Sequence, residues 1–317
     1  MKWNKLRNLL TSFAIALVTS TAFAYDEPFV NLGQTSFLDG GPPDGPGFYF
    51  QDYFQYYNAN RFNDNNGDKL PLPRQSFYAT ANTFQLIYLS PQKVFCGPHW
   101  AVNIILPWLV NANINDGLHN KVVNAENGVG DLTVGPILQF DPIMGANGPR
   151  FVQRLELDFI VPVGRYNPHD AFSPSSNFWS INPYWAATLW FTPKWSASTR
   201  LHYLWNAKNT DPKVSFGPGV TSTQAGQAIF GNFATEYEVI KNWRLGINGY
   251  FFNQITDTKA NGRDVSGRRE RVWAIGPGML YSFSQANALF LNTYFEQDVR
   301  NRPQGNNYIL RYVHHFN

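Results

Sequence analysis

The sequence predicts an all-β protein, a transmembrane up-and-down antiparallel β-barrel of about 12 strands. From Phe48 onward the chain divides into segments of roughly ten to eighteen residues that are rich in aromatic and β-branched residues, as strands are. Several segments alternate polar and apolar residues with a period of two, which indicates a strand with two different faces. The connections alternate between long and short, as the loops and turns of outer-membrane barrels do.

The first 24 residues have the pattern of a secretory signal peptide. The start MKWNKLRNLL is positively charged, the stretch FAIALV is apolar but too short to span a bilayer, and Ala22 and Ala24 are small residues at cleavage-site positions. A buried N-terminal helix is the alternative. We predict cleavage after Ala24, a periplasmic or lumenal segment at 25–47 and the barrel at 48–317.

Charge and cysteine content exclude several classes of function. The chain has 25 basic and 22 acidic residues. Lys2, Lys5 and Arg7 lie in the signal peptide, so the exported part is balanced and no nucleic-acid partner is predicted. The single cysteine, Cys96, cannot form an intramolecular disulfide. No His and Cys residues have the spacing of a zinc site, so neither a metal nor a cofactor is predicted.

The predicted strands follow one another along the whole exported chain. They lie at 48–62, 77–90, 100–114, 128–141, 150–166, 178–192, 195–209, 226–240, 243–260, 271–284, 288–302 and 306–316.

The loop lengths orient these strands in the membrane. Short links join strands six and seven, eight and nine, and ten and eleven, whereas most other links are long and polar. Outer-membrane barrels have short periplasmic turns and long external loops. Two links depart from this rule, because 90–99 is long for a periplasmic turn and 303–305 is short for an external loop.

The apolar face carries many aromatic residues near the strand ends. Trp100, Trp108, Trp195 and Trp243 are examples. Aromatic rings with one polar end settle where bilayer meets water and form girdles around a barrel. A secreted β-sandwich is the alternative fold, but it gives no reason for loop lengths to alternate.

The polar face of the strands is predicted to line the lumen. In RLELDFIV, for example, Arg154, Glu156 and Asp158 alternate with apolar residues. The same face of other strands carries Arg200, His202, Glu236, Glu238, Arg244, Glu296 and Asp298.

Several of these charges fall in the periplasmic half of the predicted lumen. Arg200 and Glu236 lie at similar height on adjacent strands and could pair, with His202 beside Glu236. One interpretation is a charged constriction that selects solutes. The other is an internal salt-bridge network that fills a narrow barrel, since small barrels are packed with side chains.

The stretch FYFQDYFQYYNANRF, Phe48 to Phe62, places eight aromatic rings in fifteen residues. Rings occur on both faces, so some must point into the lumen, where glutamines between them would suit an apolar or amphipathic solute. The candidates for lumenal aromatics are Phe50, Tyr53, Phe54, Tyr56 and Tyr57.

The last predicted strand ends in a face that carries Tyr312, His314 and Phe316. This face resembles the signal by which the barrel-assembly machinery recognises outer-membrane barrels. Asn317 follows the phenylalanine, so the aromatic residue is penultimate rather than last.

Four stretches resemble the SphA-like, meta-pathway of phenol degradation family of outer-membrane β-barrel proteins. They are GGPPDGPGFYFQDYFQYYNANRFNDNNGDKLPLP (40–73), VGDLTVGPIL (129–138), LDFIVPVGRYNP (157–168) and YFEQDVRNRPQGNNYILRYVHHF (294–316). The resemblance implies an outer-membrane barrel that moves hydrophobic or aromatic compounds, and it implies no catalytic residues.

The predicted function is passage or binding of small hydrophobic, aromatic or amphipathic molecules in the outer membrane of a Gram-negative bacterium. The expected partners are outer-membrane lipid, the barrel-assembly machinery and such a solute. Two alternatives stay open: a structural or adhesive barrel without transport, and an outer-membrane hydrolase. The hydrolase is not favoured because no GxSxG motif is present.

Overall fold

The computed structural model describes residues 26–42, 45–95, 97–120 and 123–316. The predicted signal peptide, the lone thiol of Cys96 and the terminal Asn317 lie outside the described residues. Within the described ranges, no helix is long and apolar enough to cross a membrane.

Twelve long strands form a closed antiparallel wall, as the sequence predicts. They are β1 (Gly47–Phe62), β2 (Ser76–Lys93), β3 (His99–Asn115), β4 (Leu132–Gln139), β5 (Gly148–Val161), β6 (Ser180–Thr192), β7 (Trp195–Asn206), β8 (Ala228–Ile240), β9 (Trp243–Gln254), β10 (Arg271–Ser282), β11 (Asn287–Arg300) and β12 (Pro303–Phe316). Each strand pairs with its neighbours in sequence, and β1 also pairs with β12. The fold is therefore the predicted up-and-down barrel.

Period-two alternation sets the two faces of the wall. On β5, Leu155 and Leu157 are exposed on the outside, whereas Arg154, Glu156 and Asp158 between them are buried inside. Because successive side chains of a strand point to opposite faces, one register places every polar residue of this strand in the interior. The exposed apolar side chains form the surface that hydrocarbon covers.

The two ends of the barrel differ in their connections. The links β6–β7, β8–β9 and β10–β11 are short turns at one end, here called the short-turn end, and both ends of the barrel chain meet there because Phe48 pairs with Phe316. Most connections at the opposite, long-loop end are much longer. By the rule for outer-membrane barrels, the short-turn end is periplasmic.

The wall is irregular where β3 meets β4. Their regular pairing runs from His99 to Ile105 of β3, and a separate two-residue strand, Gly128–Val129, pairs with β3 further toward the long-loop end. Between them the Gly130 amide donates a hydrogen bond of 2.8 Å to the Pro107 carbonyl. The regular ladder is therefore interrupted at this point by a register shift of one residue, which this hydrogen bond bridges.

The N-terminal residues 26–42, here called the lumen segment, lie inside the barrel. The Asp26 amide donates to Glu270 Oε1 (2.9 Å) near the long-loop end, the Gly33 amide to Asn232 Oδ1 (2.8 Å), and the Gly40 amide to Thr188 Oγ1 (2.8 Å) further toward the short-turn end. The segment thus runs along the barrel axis. Its hydrogen bonds go to wall side chains because it forms no strand that could pair with backbone.

Two glycines allow this close approach. A Cβ at Gly40 would lie 2.4 Å from the Thr188 backbone nitrogen, and a Cβ at Gly33 would lie 2.6 Å from the Tyr294 ring. Gly33 also has φ +85°, which glycine adopts at no steric cost. The backbone can therefore lie directly against the wall at both points.

Candidate functional site

The lumen segment separates two main chambers inside the barrel, and a smaller cavity of about 40 Å³ lies beside it. The outer chamber, in the long-loop half, has a volume of about 160 Å³. The inner chamber, in the short-turn half, has a volume of about 460 Å³. Phe37 of the segment and Tyr53 of β1 are almost completely buried between them.

The outer chamber is mainly apolar. Its lining includes Phe29, Val30, Leu32, Phe77, Ala79, Ala81, Pro107, Leu109, Phe172, Tyr250 and Phe252. Three of these residues belong to the lumen segment, and Pro107 borders the interrupted ladder between β3 and β4. Apolar walls with few polar groups are typical of sites that bind small organic molecules.

One carboxylate of the outer chamber, that of Glu296, has several donors. It accepts hydrogen bonds from the hydroxyls of Tyr57 (2.6 Å) and Tyr250 (2.8 Å) and from the Gly305 amide (2.9 Å). A buried carboxylate with three donors is a stable structural element rather than a free binding group.

An acidic pair, Glu27 and Glu270, lies near the long-loop end. Glu270 Oε1 accepts hydrogen bonds from the amides of Asp26 and Glu27, and Glu27 Oε2 accepts one from Asn206. Burial raises the pKa of Glu270 to about 7, despite the opposing charge of Arg302. Burial, and then the nearby Glu270 charge, raise the pKa of Glu27 well above its ordinary value.

Asp39 fixes the lumen segment to the middle of the wall. Its two carboxylate oxygens accept hydrogen bonds from Arg200 Nε (2.7 Å) and Nη2 (2.5 Å), and all the groups are buried. The geometry is the bidentate pairing that an arginine makes with a carboxylate.

Most of the predicted lumenal charges lie on the inner face. Glu156 accepts hydrogen bonds from Asn103 and Tyr184, and Glu236 accepts one from Ser196. Glu238 and Arg244 form an ion pair of 3.5 Å that is partly buried. Further buried members of the set are Arg154, Asp158, Arg200, His202 and Glu296.

The suggested pairing of Arg200 with Glu236 is wrong. In the register of β7 with β8, Arg200 lies opposite Asn232 and Glu236 lies opposite Ser196. His202 does not lie beside Glu236 either, because it is opposite Phe230 and stacks on that ring at 4.2 Å. Arg200 pairs with the lumen segment instead.

Asp298 is a second correction, because it lies on the outside of the wall. The register of β10 with β11 shifts between Arg271 and Trp273, and Asp298 has φ +50°. A bulge of one residue reverses the parity of a strand. Asp298 consequently pairs with Arg271 at 2.5 Å, and both side chains are about half exposed.

The predicted lumenal aromatics divide between the two faces. Tyr53 and Tyr57 point inward. Phe54 is 43% exposed, and β1 pairs with β2 without a register shift, so Phe50 and Tyr56 share the outward face of Phe54. The expectation that these three residues line the lumen is therefore wrong. The alternating glutamines, with Tyr53 and Tyr57, form the inner face.

The three residues of the proposed assembly signal share the outward face of β12. Tyr312 and Phe316 are exposed, and the His314 ring lies between theirs. This face is available to a protein that binds the strand from the membrane side.

Sequence reasoning missed Asp39, Glu270 and Arg311. Asp39 lies in a segment without periodicity, so no pattern indicated its partner. Arg311 could have been found, because it alternates with Leu310 and Tyr312 on β12 and must therefore point inward.

One solved structure supports the outer-membrane barrel fold, and two others are similar at a lower level. The crystal structure of an outer-membrane channel from Pseudomonas putida F1 matches with a TM-score of 0.75 and 18% identity, over 91% of this chain and 100% of that one. A mutant of the TodX monoaromatic hydrocarbon channel matches with a TM-score of 0.46 and 8% identity, over 95% and 100%. The translocator domain of the autotransporter NalP from Neisseria meningitidis matches with a TM-score of 0.46 and 8% identity, over 86% and 90%.

A family model also matches most of the chain. The family described as "Putative MetA-pathway of phenol degradation" matches residues 59–312. No curated protein matches the chain.

Proposed function

The chain belongs to the family described as "Putative MetA-pathway of phenol degradation", and from this premise we propose that it lets small hydrophobic, aromatic or amphipathic molecules pass the outer membrane. The passage is passive, because a concentration gradient of the solute across the membrane is enough to drive it through a barrel. No catalytic role is proposed. Within the described ranges, no group of three or more His, Cys, Asp or Glu residues could hold a metal ion.

The outer chamber is the observation that carries this proposal. Its wall of Phe77, Ala81, Phe172 and Phe252 offers a site for an apolar molecule, and the Glu296 carboxylate beside it is occupied by the hydroxyls of Tyr57 and Tyr250. A water-filled porin would need a polar lumen. The chamber therefore favours molecules that leave water readily.

The interrupted ladder beside Pro107 supplies a route between this chamber and the surrounding lipid. Irregular backbone at membrane depth is tolerated where it lines a cavity, and Pro107 and Gly130 both line this one. A molecule in the outer chamber could leave through the wall into the lipid by displacing few backbone hydrogen bonds. It would then not have to pass along the barrel axis, where Phe37 and its neighbours separate the outer chamber from the inner one.

The test is uptake of a radiolabelled phenol-like solute by a Gram-negative host that expresses the protein. Ala81→Phe fills the outer chamber, because Ala81 faces it and is buried. Leu86→Phe is the matched control on the outward face of the same strand, where Leu86 is 43% exposed. We expect uptake to fall to the background of the host with Ala81→Phe and to stay unchanged with Leu86→Phe.

Two results would contradict the proposal. One is equal uptake by the host with and without the wild-type protein. The other is full uptake with Ala81→Phe in a barrel whose heat-dependent gel mobility shows that it has folded.

A further inference from the structure

The inner chamber combines apolar walls with two arginine side chains. Its apolar lining includes Ile87, Leu89, Ile137, Phe290 and Val313, and Arg154 and Arg311 are its basic residues. Residues of the short turns, such as Asn242 and Gln285, also line it, so it opens toward the periplasmic end. Its volume of about 460 Å³ falls in the usual range of small-molecule sites.

Arg311 has unused hydrogen-bond donors. Its side chain is buried, with 8% of the residue exposed, and its Nε and Nη1 have no hydrogen-bond partner. The guanidinium lies 4.1 Å from the centre of the Phe290 ring and 5.7 Å from that of Tyr53. These rings attract the charge but leave the N–H groups unpaired.

Arg154 adds a second guanidinium with an unused donor. Its Nη2 lies 3.6 Å from Asp39 Oδ1, which is longer than a hydrogen bond, and its Nε has no partner. The carboxylate of Asp39 is already bound through both oxygens by Arg200. Asp39 therefore leaves donors of both arginines that face the chamber without a hydrogen-bond partner.

The side chains that line the chamber carry two positive charges and one negative charge. Its charged lining residues are Asp39, Arg154 and Arg311, and the nearby Glu156 is occupied by Asn103 and Tyr184. Within the described ranges, no carboxylate oxygen lies within 4 Å of Arg311. A buried charge without a partner raises the free energy of the folded protein. An anion that bound beside the guanidinium would lower that free energy.

We infer that the inner chamber binds the carboxylate of a small organic acid with an apolar body. The planar guanidinium presents parallel N–H groups that match a carboxylate, and the aliphatic wall beside it accommodates a ring or short chain. This inference deepens the proposed function by naming a solute class for the periplasmic half of the passage. Inorganic anions offer the charge but no apolar surface.

The experiment is calorimetric titration of the folded full-length barrel in non-ionic detergent with benzoate. Benzamide is the neutral control of nearly the same shape. We expect one benzoate per chain and an affinity for benzamide that is weaker by at least about tenfold, which corresponds to about 1.4 kcal/mol. Inorganic phosphate should not compete for the site.

Arg311→Gln tests the residue and Arg150→Gln is the matched control. Arg150 is exposed at the start of β5, at the same end of the barrel. Arg311→Gln should weaken benzoate binding at least about tenfold, with binding of benzamide unchanged, and Arg150→Gln should change neither. Arg311→Lys, which keeps the charge but loses the paired donors, should also bind benzoate more weakly than the wild type.

Three outcomes would overturn the inference: no benzoate binding, equal binding of benzoate and benzamide, or unaltered benzoate binding by folded Arg311→Gln. Competition by phosphate at the same concentration as benzoate would overturn the assignment to an organic acid. Binding in detergent does not depend on transport. Loss of neutral solute uptake without loss of benzoate binding would therefore contradict the proposed function alone.

Discussion

Asp39 is the residue that most firmly attaches the lumen segment to the wall. Removal of one partner from a buried ion pair costs about 3–5 kcal/mol, since the other charge stays buried. We therefore expect Asp39→Asn to loosen the segment and to give frequent channel openings in planar-bilayer recordings. The wild-type protein should be nearly silent.

The matched control is Asp257→Asn. Asp257 pairs with Arg269 at 2.8 Å, but the Arg269 side chain is half exposed. Exposed pairs contribute about 0–1 kcal/mol, so this variant should record like the wild type. Equal traces from the two variants would show that the Asp39 pair does not hold the segment.

The raised pKa of Glu270 predicts that docking of the first residues of the lumen segment depends on pH. Its pKa is raised by burial to about 7 while the segment is docked. A carboxyl group whose pKa is raised in the docked state stabilises that state fully only at low pH, and this contribution is lost as the pH rises through about 7. Ionised Glu270 would then be repelled by the carboxylates of Asp26 and Glu27, and the attraction of Arg302 would offset only part of this repulsion and of the cost of burial.

Hydrogen exchange of the first residues of the segment between acid and alkaline pH would measure this effect. Protection of these amides in the wild type should fall as the pH rises from about 4.5 to about 7 and should change little above that. Glu270→Gln keeps an oxygen that accepts from the Asp26 amide but carries no charge, so its protection should depend much less on pH. The same pH profile in both proteins would contradict this account.

At the level of single strands, the bulge at Asp298 makes a separate prediction. Asp298 has φ +50°, and a left-handed conformation costs an ordinary residue about 1–2 kcal/mol. We expect Asp298→Gly to be tolerated and Asp298→Val to lower the free energy of unfolding in urea by about 1 kcal/mol or more. Gln297→Val, next to the bulge and outside it, is the control and should have little effect.

β11 also shows why some elements could be predicted and others could not. Alternation is a property of neighbouring residues, so the inward positions of Asn292 and Glu296 follow from the sequence. The bulge depends on how β11 pairs with β10, which no local pattern reveals, and it moved Asp298 to the other face. On β1 both faces carry rings, so composition alone could not decide the parity of Phe54.

The exposed face of β12, the last strand, leads to a prediction about assembly of the barrel. Phe316 and Tyr312 are exposed on the outward face, where a partner could bind them before the barrel closes. Phe316→Ala should lower the amount of folded protein in the outer membrane, measured by its heat-dependent gel mobility. Leu310→Ala, on the same face but further from the terminus, should have a smaller effect, and equal losses would contradict a terminal signal.

For the whole molecule, the wall and the lumen segment have different sources of stability. The wall is a closed ladder of backbone hydrogen bonds, whereas the segment is held by side chains such as Asn232, Thr188 and Arg200. The wall was predictable because a barrel follows from local alternation and loop lengths. The two chambers were not, since they arise only where the segment meets the wall.

This difference predicts that the barrel survives without its lumen segment. A variant that lacks residues 26–41 keeps all twelve strands, because none of them begins before Gly47. It should fold, show heat-dependent gel mobility and conduct ions steadily in planar bilayers, while Asp39→Asn gives only intermittent openings.

Uptake of phenol-like solutes by the deletion variant should lose sensitivity to Ala81→Phe, because Phe29, Val30 and Leu32, which complete the outer chamber, are absent. A folded deletion variant that stays silent would mean that wall side chains alone close the lumen, and the segment would then shape the chambers without gating them.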